Sequence, residues 1–395
     1  MSSTQPPYAR LSTFYFFYFA ALGAFVPFWP VFLKSEIGFS ATQIGQLMAV
    51  FMTSKIIAPL VWGWLVDHYG KRLSVIRWAS FLTIICFAGV FIKQDFWWLA
   101  TVVFLFGFFW NASLPQFEAL TLNHLQGNIH KYSSIRLWGS IGFIIMVAGL
   151  PLILDIIGFS WLIHIILLLF ISITLSSFLV NDKDHAHHAF EQGHISHVLK
   201  QPIVLALLFA CMLQQASHGA YYTFFSIYLT QHNYSHAFIG WMWAVGVIAE
   251  VILFLLIQPL LQRFGAYLLF SLSVLITAIR WVLLAYFVDV EAVLWFSQIL
   301  HAASYGLFHA SAIQIIHLYF PGKLQGRGQA LYAGLSFGVG GAIGSLTSGY
   351  AWDSIGAVDT FLTAALVAGI GWLVSLLLLS GSRLGNLGKS HNAQP

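Results

Sequence analysis

Five charged side chains lie inside long apolar stretches of this 395-residue chain: Lys55, Glu118, Arg136, Glu250 and Arg280. A charge at the centre of a membrane helix costs roughly 2.5–3.5 kcal/mol on insertion scales, so such a residue usually faces a cavity and finds a partner. Three cations and two anions leave one positive charge unmatched, which suits the carboxylate of a substrate. Protonation of either glutamate changes that count. The alternatives are structural ion pairs at the three deeper positions and snorkelling at Glu118 and Arg136.

The composition is that of a membrane protein. The chain is 59% hydrophobic and 8% charged, with a mean hydropathy of +0.82, whereas a soluble domain carries roughly 25% charged residues. Cys86 and Cys211 lie in apolar stretches and suggest neither a disulfide nor a metal site. We find no nucleotide loop, nucleophile elbow or clustered metal motif. We therefore expect no enzyme, no cofactor, no bound metal and no nucleic-acid partner. The polar start lacks a small-residue cleavage pattern, so we expect the first helix to be retained.

Twelve apolar segments are each long enough to cross a bilayer. They lie near 12–33, 43–66, 73–92, 96–121, 134–154, 159–180, 203–229, 238–258, 266–288, 291–318, 327–351 and 358–380. We predict an all-α integral membrane protein with twelve transmembrane helices in two pseudo-symmetric six-helix bundles. The predicted domains are an N-terminal bundle (1–180), a cytoplasmic linker (181–201), a C-terminal bundle (202–381) and a disordered cytoplasmic tail (382–395).

A weak internal repeat at a spacing of 195 residues supports the two bundles. Ile44-Gly45 returns as Ile239-Gly240, and Gly70 returns as Gly265. Duplicated halves of this kind are typical of membrane transporters in which two bundles move about a central substrate site. The same spacing aligns Lys55 with Glu250, each in the middle of an apolar segment.

The distribution of basic residues predicts the orientation. Of the 17 lysines and arginines, only Lys34 and Lys93 fall in predicted outer loops, and three lie within spans. The remaining twelve fall in segments that are cytoplasmic if both termini are inside, a clear positive-inside bias. We predict a multi-pass protein of a bacterial inner membrane with both termini cytoplasmic.

A loop motif gives the first family resemblance. Between spans two and three the chain carries Gly63, Asp67, Gly70, Lys71 and Arg72. This pattern resembles the signature loop of the major facilitator superfamily, which implies the major facilitator fold and a role in gating. Physically, Gly63 permits close helix approach and Gly70 permits a tight turn. An ordinary basic turn is the alternative.

The resemblance extends to the lactose-permease-like proton symporters. Their spans four and five are similar to Glu118 and the Arg-Leu-Trp-Gly-Ser block at 136–140, and their later charges to Glu250, Arg280 and His301. The aromatic first span and Pro-Phe-Trp at 27–29 resemble the phenylpropionate permease branch most. This resemblance implies that Glu118 and Arg136 bind substrate.

The same resemblance implies a group that couples proton to substrate. Glu250, Arg280 and His301 would form it, but Ser304 stands where the group keeps a proton-carrying carboxylate. Glu250 or a histidine must then take the proton, or coupling differs. Lys55 is not part of the lactose pattern and favours an organic acid.

Histidines and aromatic rings add further candidates. His301 and His309 are eight residues apart and lie near one face of span ten, so His309 is a second candidate for proton coupling. Tyr18 in span one and Tyr222 in span seven could sandwich a substrate ring. Structural histidines and packing aromatics are the alternatives. The histidines of the linker suggest a solvated segment more than a metal site.

We predict a proton-coupled symporter that imports a small organic solute by alternating access. We favour an aromatic carboxylate such as 3-phenylpropionate, with its carboxylate near Lys55, Arg136 or Arg280. Its partners would be the substrate, protons and the lipid bilayer, and we expect a functional monomer. The alternatives are a proton symporter of a neutral sugar or nucleoside, an efflux antiporter, an integral-membrane enzyme and a non-transporting sensor.

Overall fold

The computed structural model describes residues 7–125, 129–181 and 195–391, and within those ranges the chain is helical with no strand. Most of the predicted linker and the last four residues of the predicted tail lie outside them. The helices before the linker are α1 (Tyr8–Ser35), α2 (Ala41–Tyr69), α3 (Arg72–Ala88), α4 (Phe96–Leu125), α5 (Ile129–Ile157) and α6 (Leu162–Phe178). After it follow α7 (Ser196–Leu199), α8 (Pro202–Gln231), α9 (His236–Phe264), α10 (Ala266–Tyr286), α11 (Glu291–His301), α12 (Phe308–Tyr319), α13 (Gln325–Ala333) and α14 (Gly341–His391).

Eleven helical stretches in the described residues are long and apolar enough to cross a membrane. The last of them, Gln325–Leu378, has 54 residues, which is enough for two crossings. Its backbone leaves helical geometry at Gly356, where φ is 87° and ψ is 176°, a conformation that glycine adopts without steric cost. The predicted all-α fold with twelve crossings is therefore confirmed. Helix α14 also continues to His391, through most of the predicted tail.

The internal repeat identifies which helices of the two halves correspond. α2 and α9 each have 29 residues and start 195 positions apart. Ser40 caps α2, since its hydroxyl accepts the N–H of Gln43 at 3.2 Å, and Ser235 accepts the N–H of Phe238 at the start of α9 at the same distance. These side chains satisfy N–H groups that a helix start leaves without a partner.

Two π-helical segments interrupt the second half. Ala302–Leu307 lies between α11 and α12, and Gly334–Gly340 lies between α13 and α14. Such π segments are rare and occur frequently at functional sites. The first of them directly follows His301, one of the predicted proton-coupling residues.

The chain divides into two compact units by its internal contacts. Unit 1 comprises Met1–Phe190 with Tyr222–Ala244, and unit 2 comprises Glu191–Tyr221 with Val245–Pro395. Residues 222–244, which the sequence assigns to the second bundle, thus group with the first six helices.

Glycines permit the closest helix crossings within each unit. In unit 1, a Cβ on Gly142 of α5 would collide with the backbone of Phe16 in α1. In unit 2, a Cβ on Gly344 of α14 would collide with the backbone of Ala216 in α8, and one on Gly219 with Gly344 itself. Only a residue without a side chain fits at these crossings.

Candidate functional site

Glu118 and Arg136 face each other in unit 1, from α4 and α5. Arg136 Nε lies 3.8 Å from Glu118 Oε1, and about a third of each side chain is exposed. The guanidinium also lies over the ring of Phe19, 3.9 Å from its centroid. Gly139 leaves room for this arrangement, because a Cβ there would lie 2.8 Å from Arg136 Nη1. The structure thus brings the predicted binding pair together and leaves it accessible.

Aromatic side chains of α1 and α4 pack beside this pair. Phe14 stacks on Phe117 with ring centroids 3.7 Å apart, and Tyr18 stacks on Phe14 at 6.1 Å. Tyr18 is only 4% exposed, so in this conformation its ring is buried and packs against Phe14. The Tyr15 hydroxyl donates to Thr121 Oγ1 at 3.2 Å, a hydrogen bond that joins α1 to α4.

Lys55 is at the midpoint of α2 and is half-buried. Its Nζ lies 5.2 Å from the centroid of the Phe51 ring, a cation–π contact. Among residues 7–125, 129–181 and 195–391, no carboxylate forms an ion pair with it. Within the described residues, Lys55 is therefore a cation at membrane depth without an opposite charge.

Arg280 is the centre of a buried polar network in unit 2. The side chain is completely inaccessible. Its guanidinium donates to the Ser297 carbonyl oxygen at 2.8 Å, to Gln298 Oε1 at 3.1 Å and to His301 Nδ1 at 3.1 Å. The Tyr221 ring covers it, 4.3 Å from the centroid. Arg280 was predicted to contact substrate; in this conformation it can act only through its neighbours.

His301 connects Arg280 to Glu250. A guanidinium only donates hydrogen bonds, so His301 Nδ1 accepts from Arg280 and a neutral imidazole carries its proton on Nε2. That Nε2 faces Glu250, 3.9 Å from Oε2. Glu250 is at the midpoint of α9, and its Cγ packs against Gly306 of the π segment. The three predicted coupling residues are therefore in one cluster, in which Arg280 donates to His301 and His301 Nε2 faces Glu250.

The π segment extends the cluster along span ten. The Tyr305 ring stacks on His301 with centroids 5.4 Å apart and on His309 at 6.4 Å. His309 Nδ1 hydrogen-bonds the Tyr332 hydroxyl at 3.0 Å. Ser304 is fully buried, and its hydroxyl lies 3.4 Å from Arg280 Nη1. A serine here gives the arginine an uncharged neighbour where the lactose-permease-like group keeps a carboxylate.

The predicted loop motif is only partly explained by its geometry. Gly70 has φ of 68° and ends α2, which confirms the tight turn, and Lys71 precedes α3. The close helix approach expected at Gly63 is wrong, because a Cβ there would meet no atom of the described residues within 4 Å. Arg72 instead contacts α4, where its Nε donates to Gln116 Oε1 at 3.2 Å. Asp67 lies on the last turns of α2.

Comparison with known proteins decides the family. The model of the MFS_1-like family matches residues 8–363, most of the chain. The chain belongs to the MFS_1-like family.

Relatives and solved structures agree with this membership. A probable 3-phenylpropionic acid transporter of Escherichia coli K12 is 28% identical over 90% of this chain and 93% of that protein. A maltose permease of Geobacillus stearothermophilus is 27% identical over 94% of each. A solved structure of the nucleoside transporter NupG has a TM-score of 0.84 at 16% identity, covering 94% of this chain and 99% of that one. This MFS_1-like chain is a multi-pass membrane protein and a secondary transporter of small molecules, not an enzyme.

Several polar residues of the MFS_1-like unit 2 were not predicted as site residues. Gln298 Oε1 accepts from both Arg280 and the Tyr221 hydroxyl, the latter at 2.9 Å. Gln214 Nε2 donates to Thr277 Oγ1 at 2.6 Å and to the Ser304 carbonyl oxygen at 2.8 Å. Both glutamines are fully buried. An amide inside an apolar span is itself a sign of function, and it could have been used to find them.

Tyr222 is grouped with unit 1. It stacks on Trp243 with ring centroids 6.2 Å apart, and both residues belong to unit 1. The described residues contain no group of three histidine, cysteine, aspartate or glutamate side chains that could hold a metal ion. The candidate residues thus form a charged and aromatic cluster within unit 1 and a buried Arg280 network within unit 2.

Proposed function

We propose that this transporter is a proton symporter that imports an aromatic monocarboxylate, such as 3-phenylpropionate, by alternating access. The observation that carries the proposal is Lys55, a cation at the middle of α2 with no carboxylate partner among the described residues. Glu118 and Glu250, in contrast, each lie within 4 Å of a basic side chain. The name of the Escherichia coli relative, a probable 3-phenylpropionic acid transporter, supports the same substrate class.

In this proposal the substrate carboxylate binds Lys55. The Glu118–Arg136 pair contributes to binding, and the exposed guanidinium face is a second position for an anion. Phe19 beneath Arg136 and Tyr222 stacked on Trp243 are the rings that would contact the aromatic end of the substrate.

The proton is carried by Glu250, with His301 and Arg280 as its partners. Because Arg280 donates to His301 Nδ1, the Nε2–H of His301 is directed toward Glu250 and stabilises its ionised form. Protonation of Glu250 weakens that attraction, so α9, which carries Glu250, is held less tightly to His301. His309, joined to His301 through the stacked Tyr305, is the next group for proton exchange. We place both termini on the cytoplasmic side of a bacterial inner membrane, with the Gly63–Arg72 loop as part of the inner gate and the monomer as the working unit.

The test is proton uptake in proteoliposomes that contain a pH dye. 3-Phenylpropionate is added first, then lactose and uridine, with a protonophore control to measure passive entry of the free acid. We expect internal acidification with 3-phenylpropionate alone. We expect Glu250→Gln to abolish it, whereas Glu291→Gln, which changes an exposed glutamate at the start of α11, retains it. If Glu250→Gln still concentrates substrate against a gradient, the proton assignment is wrong.

Lys55→Gln tests the anion site separately. Losing one partner of a desolvated charge pair costs about 2 kcal/mol or more, or about 30-fold in affinity. We expect that loss for 3-phenylpropionate, and unchanged affinity in Lys34→Gln, which changes an exposed lysine at the end of α1. Equal affinities in the two variants contradict the role of Lys55.

A neutral substrate is the second candidate, because NupG shares the fold and a maltose permease is among the relatives. Acidification with uridine or lactose but not with 3-phenylpropionate would select this candidate and reject the anion site. No acidification with any of the three would favour efflux, which reversed gradients would then reveal.

A further inference from the structure

A cleft of about 430 Å³ lies between α3 and α6 in unit 1. Its volume is within the range of roughly 300–1,000 Å³ found for small-ligand sites. None of its lining residues belongs to the candidate transport site; they are Ser74, Arg77, Trp78, Phe81, Thr174 and Phe178. The cleft therefore calls for a separate explanation.

The walls of the cleft are apolar and face outward. Trp78 is 61% exposed, Phe81 45% and Phe178 58%. On a membrane-spanning helix, large exposed rings of this kind contact lipid, and tryptophan is enriched at the level of the headgroups. An occupant with an acyl chain would cover these three rings, whereas a small hydrophilic ion would leave them uncovered.

Arg77 supplies a positive charge to the cleft. Its guanidinium lies 4.6 Å from the centroid of the Phe178 ring, and Nη2 donates to the Val180 carbonyl oxygen at 3.1 Å. Its Nε is buried without a hydrogen-bond partner among the described residues. A guanidinium has five N–H donors in a planar fork that matches a phosphate. Among the described residues, no acidic side chain lines the cleft, so an anion would meet no negative charge from them.

The position of Arg77 along α3 fits a headgroup. Arg77 is five residues from Arg72 at the start of the helix, or about 7.5 Å along the axis. Lys71 and Arg72 lie at the same end, which the distribution of basic residues predicts to be cytoplasmic. Anionic lipids give the cytoplasmic leaflet a negative surface that attracts clustered lysines and arginines, and basic pockets between membrane helices on that side bind anionic headgroups.

We propose that the α3–α6 cleft binds an anionic phospholipid, with its phosphate on the Arg77 guanidinium and an acyl chain along Trp78, Phe81 and Phe178. The site is independent of the transported substrate. It would hold α3 against α6 by filling the space between them, with Arg77 joining the lipid phosphate to the carbonyl at the end of α6.

Native mass spectrometry of the purified full-length protein tests the proposal by measuring bound phosphatidylglycerol and phosphatidylcholine in titrations. We expect phosphatidylglycerol to bind more tightly and Arg77→Gln to weaken its binding about ten-fold. The loss for phosphatidylcholine should be smaller, because its choline offsets the charge of the phosphate. Arg77→Lys keeps the charge but not the planar fork, so its affinity should fall between those of the wild type and Arg77→Gln. The matched control is Arg263→Gln, which changes an exposed arginine that lies over a ring, that of Phe264, but does not line this cleft.

Photo-crosslinking of the wild-type protein with a photoreactive phosphatidylglycerol provides a test that needs no variant. Labelled peptides should come from α3 and α6. Equal phosphatidylglycerol affinity in Arg77→Gln and Arg263→Gln, or labelling confined to other helices, overturns the proposal. Displacement of the lipid by millimolar inorganic phosphate would also overturn it, because the site would then recognise the free ion and not the lipid.

Discussion

Replacing Arg280 by lysine keeps the charge of the unit 2 network but removes the planar fork that organises it. Three hydrogen bonds of 3.1 Å or shorter leave the guanidinium, toward Ser297, Gln298 and His301. A lysine ammonium is a single nitrogen at the end of a shorter side chain, so we expect it to retain at most one of these contacts. The Arg280 side chain is completely inaccessible to solvent, so the lost donors are not replaced by bulk water.

The expected cost follows from the two hydrogen bonds that the lysine cannot make. A hydrogen bond to a charged group contributes about 1.5–3 kcal/mol, so Arg280→Lys should destabilise unit 2 by about 3–6 kcal/mol. At about 2 °C per kcal/mol for a unit of this size, the Tm should fall by about 6 °C or more. Proton-coupled uptake should fall as well, since His301 Nδ1 loses the donor that fixes its tautomer.

The assay is thermal unfolding in detergent, followed by the fraction of protein that remains monodisperse after heating. Arg263→Lys is the matched control, because Arg263 is exposed and contacts only the neighbouring Phe264 ring among the interactions described. An exposed substitution of this kind is expected to stay within about 0.5 kcal/mol. If Arg280→Lys unfolds at the same temperature as Arg263→Lys, the buried network does not contribute to stability and the argument fails.

Two further predictions concern helix crossings and a helix start. Gly344→Ala should strongly lower the yield of folded protein, because its Cβ would collide with the backbone of Ala216. Gly334→Ala is the control and should fold normally, because no atom lies within 4 Å of the added Cβ. Fluorescence-detected size exclusion compares the yields of the two variants. Lys93 and a helix-start N–H beside Asp95 hold the pKa of that carboxyl below its usual range. Its stabilising effect is thus present at neutral pH and lost as pH falls through the folded-state pKa, so Asp95→Asn should lower the Tm at pH 7 and lose that difference in acid; an equal difference at both pH values contradicts this.

The fold follows from the sequence because it depends on long apolar windows and on the repeat. The predicted second span, 43–66, lies inside α2 (Ala41–Tyr69), and the 195-residue spacing places Lys55 and Glu250 at the midpoints of corresponding helices. The two spans merged in α14 are separated by Gly356, the kind of residue that permits such a break.

The hydrogen-bond partners within the site do not follow from the sequence. Arg280, Gln298 and His301 come from two neighbouring spans, and Tyr221 comes from a third. Which acceptor the guanidinium reaches depends on the rotation and depth of each helix, and the π segment after His301 changes both. No hydrophobic period reports such a segment. Gly63 shows the converse: a glycine that suggested a close contact lies in open space.

The opposite charges at the midpoints of α2 and α9 predict how the proposed symporter responds to a membrane potential. The five charges within the apolar spans sum to +1 in the empty carrier when both glutamates are ionised. A bound carboxylate lowers this by one and a proton on Glu250 raises it by one, so the carrier loaded with one of each has the same charge as the empty carrier. Uptake of 3-phenylpropionate should therefore follow the pH gradient and be unaffected by a potassium diffusion potential set with valinomycin.

A neutral substrate carried with one proton leaves Lys55 unneutralised. An interior-negative potential must then accelerate its uptake, since each charge moved across 100 mV is worth about 2.3 kcal/mol. Acceleration of 3-phenylpropionate uptake by that potential would refute the pairing of the substrate anion with one proton.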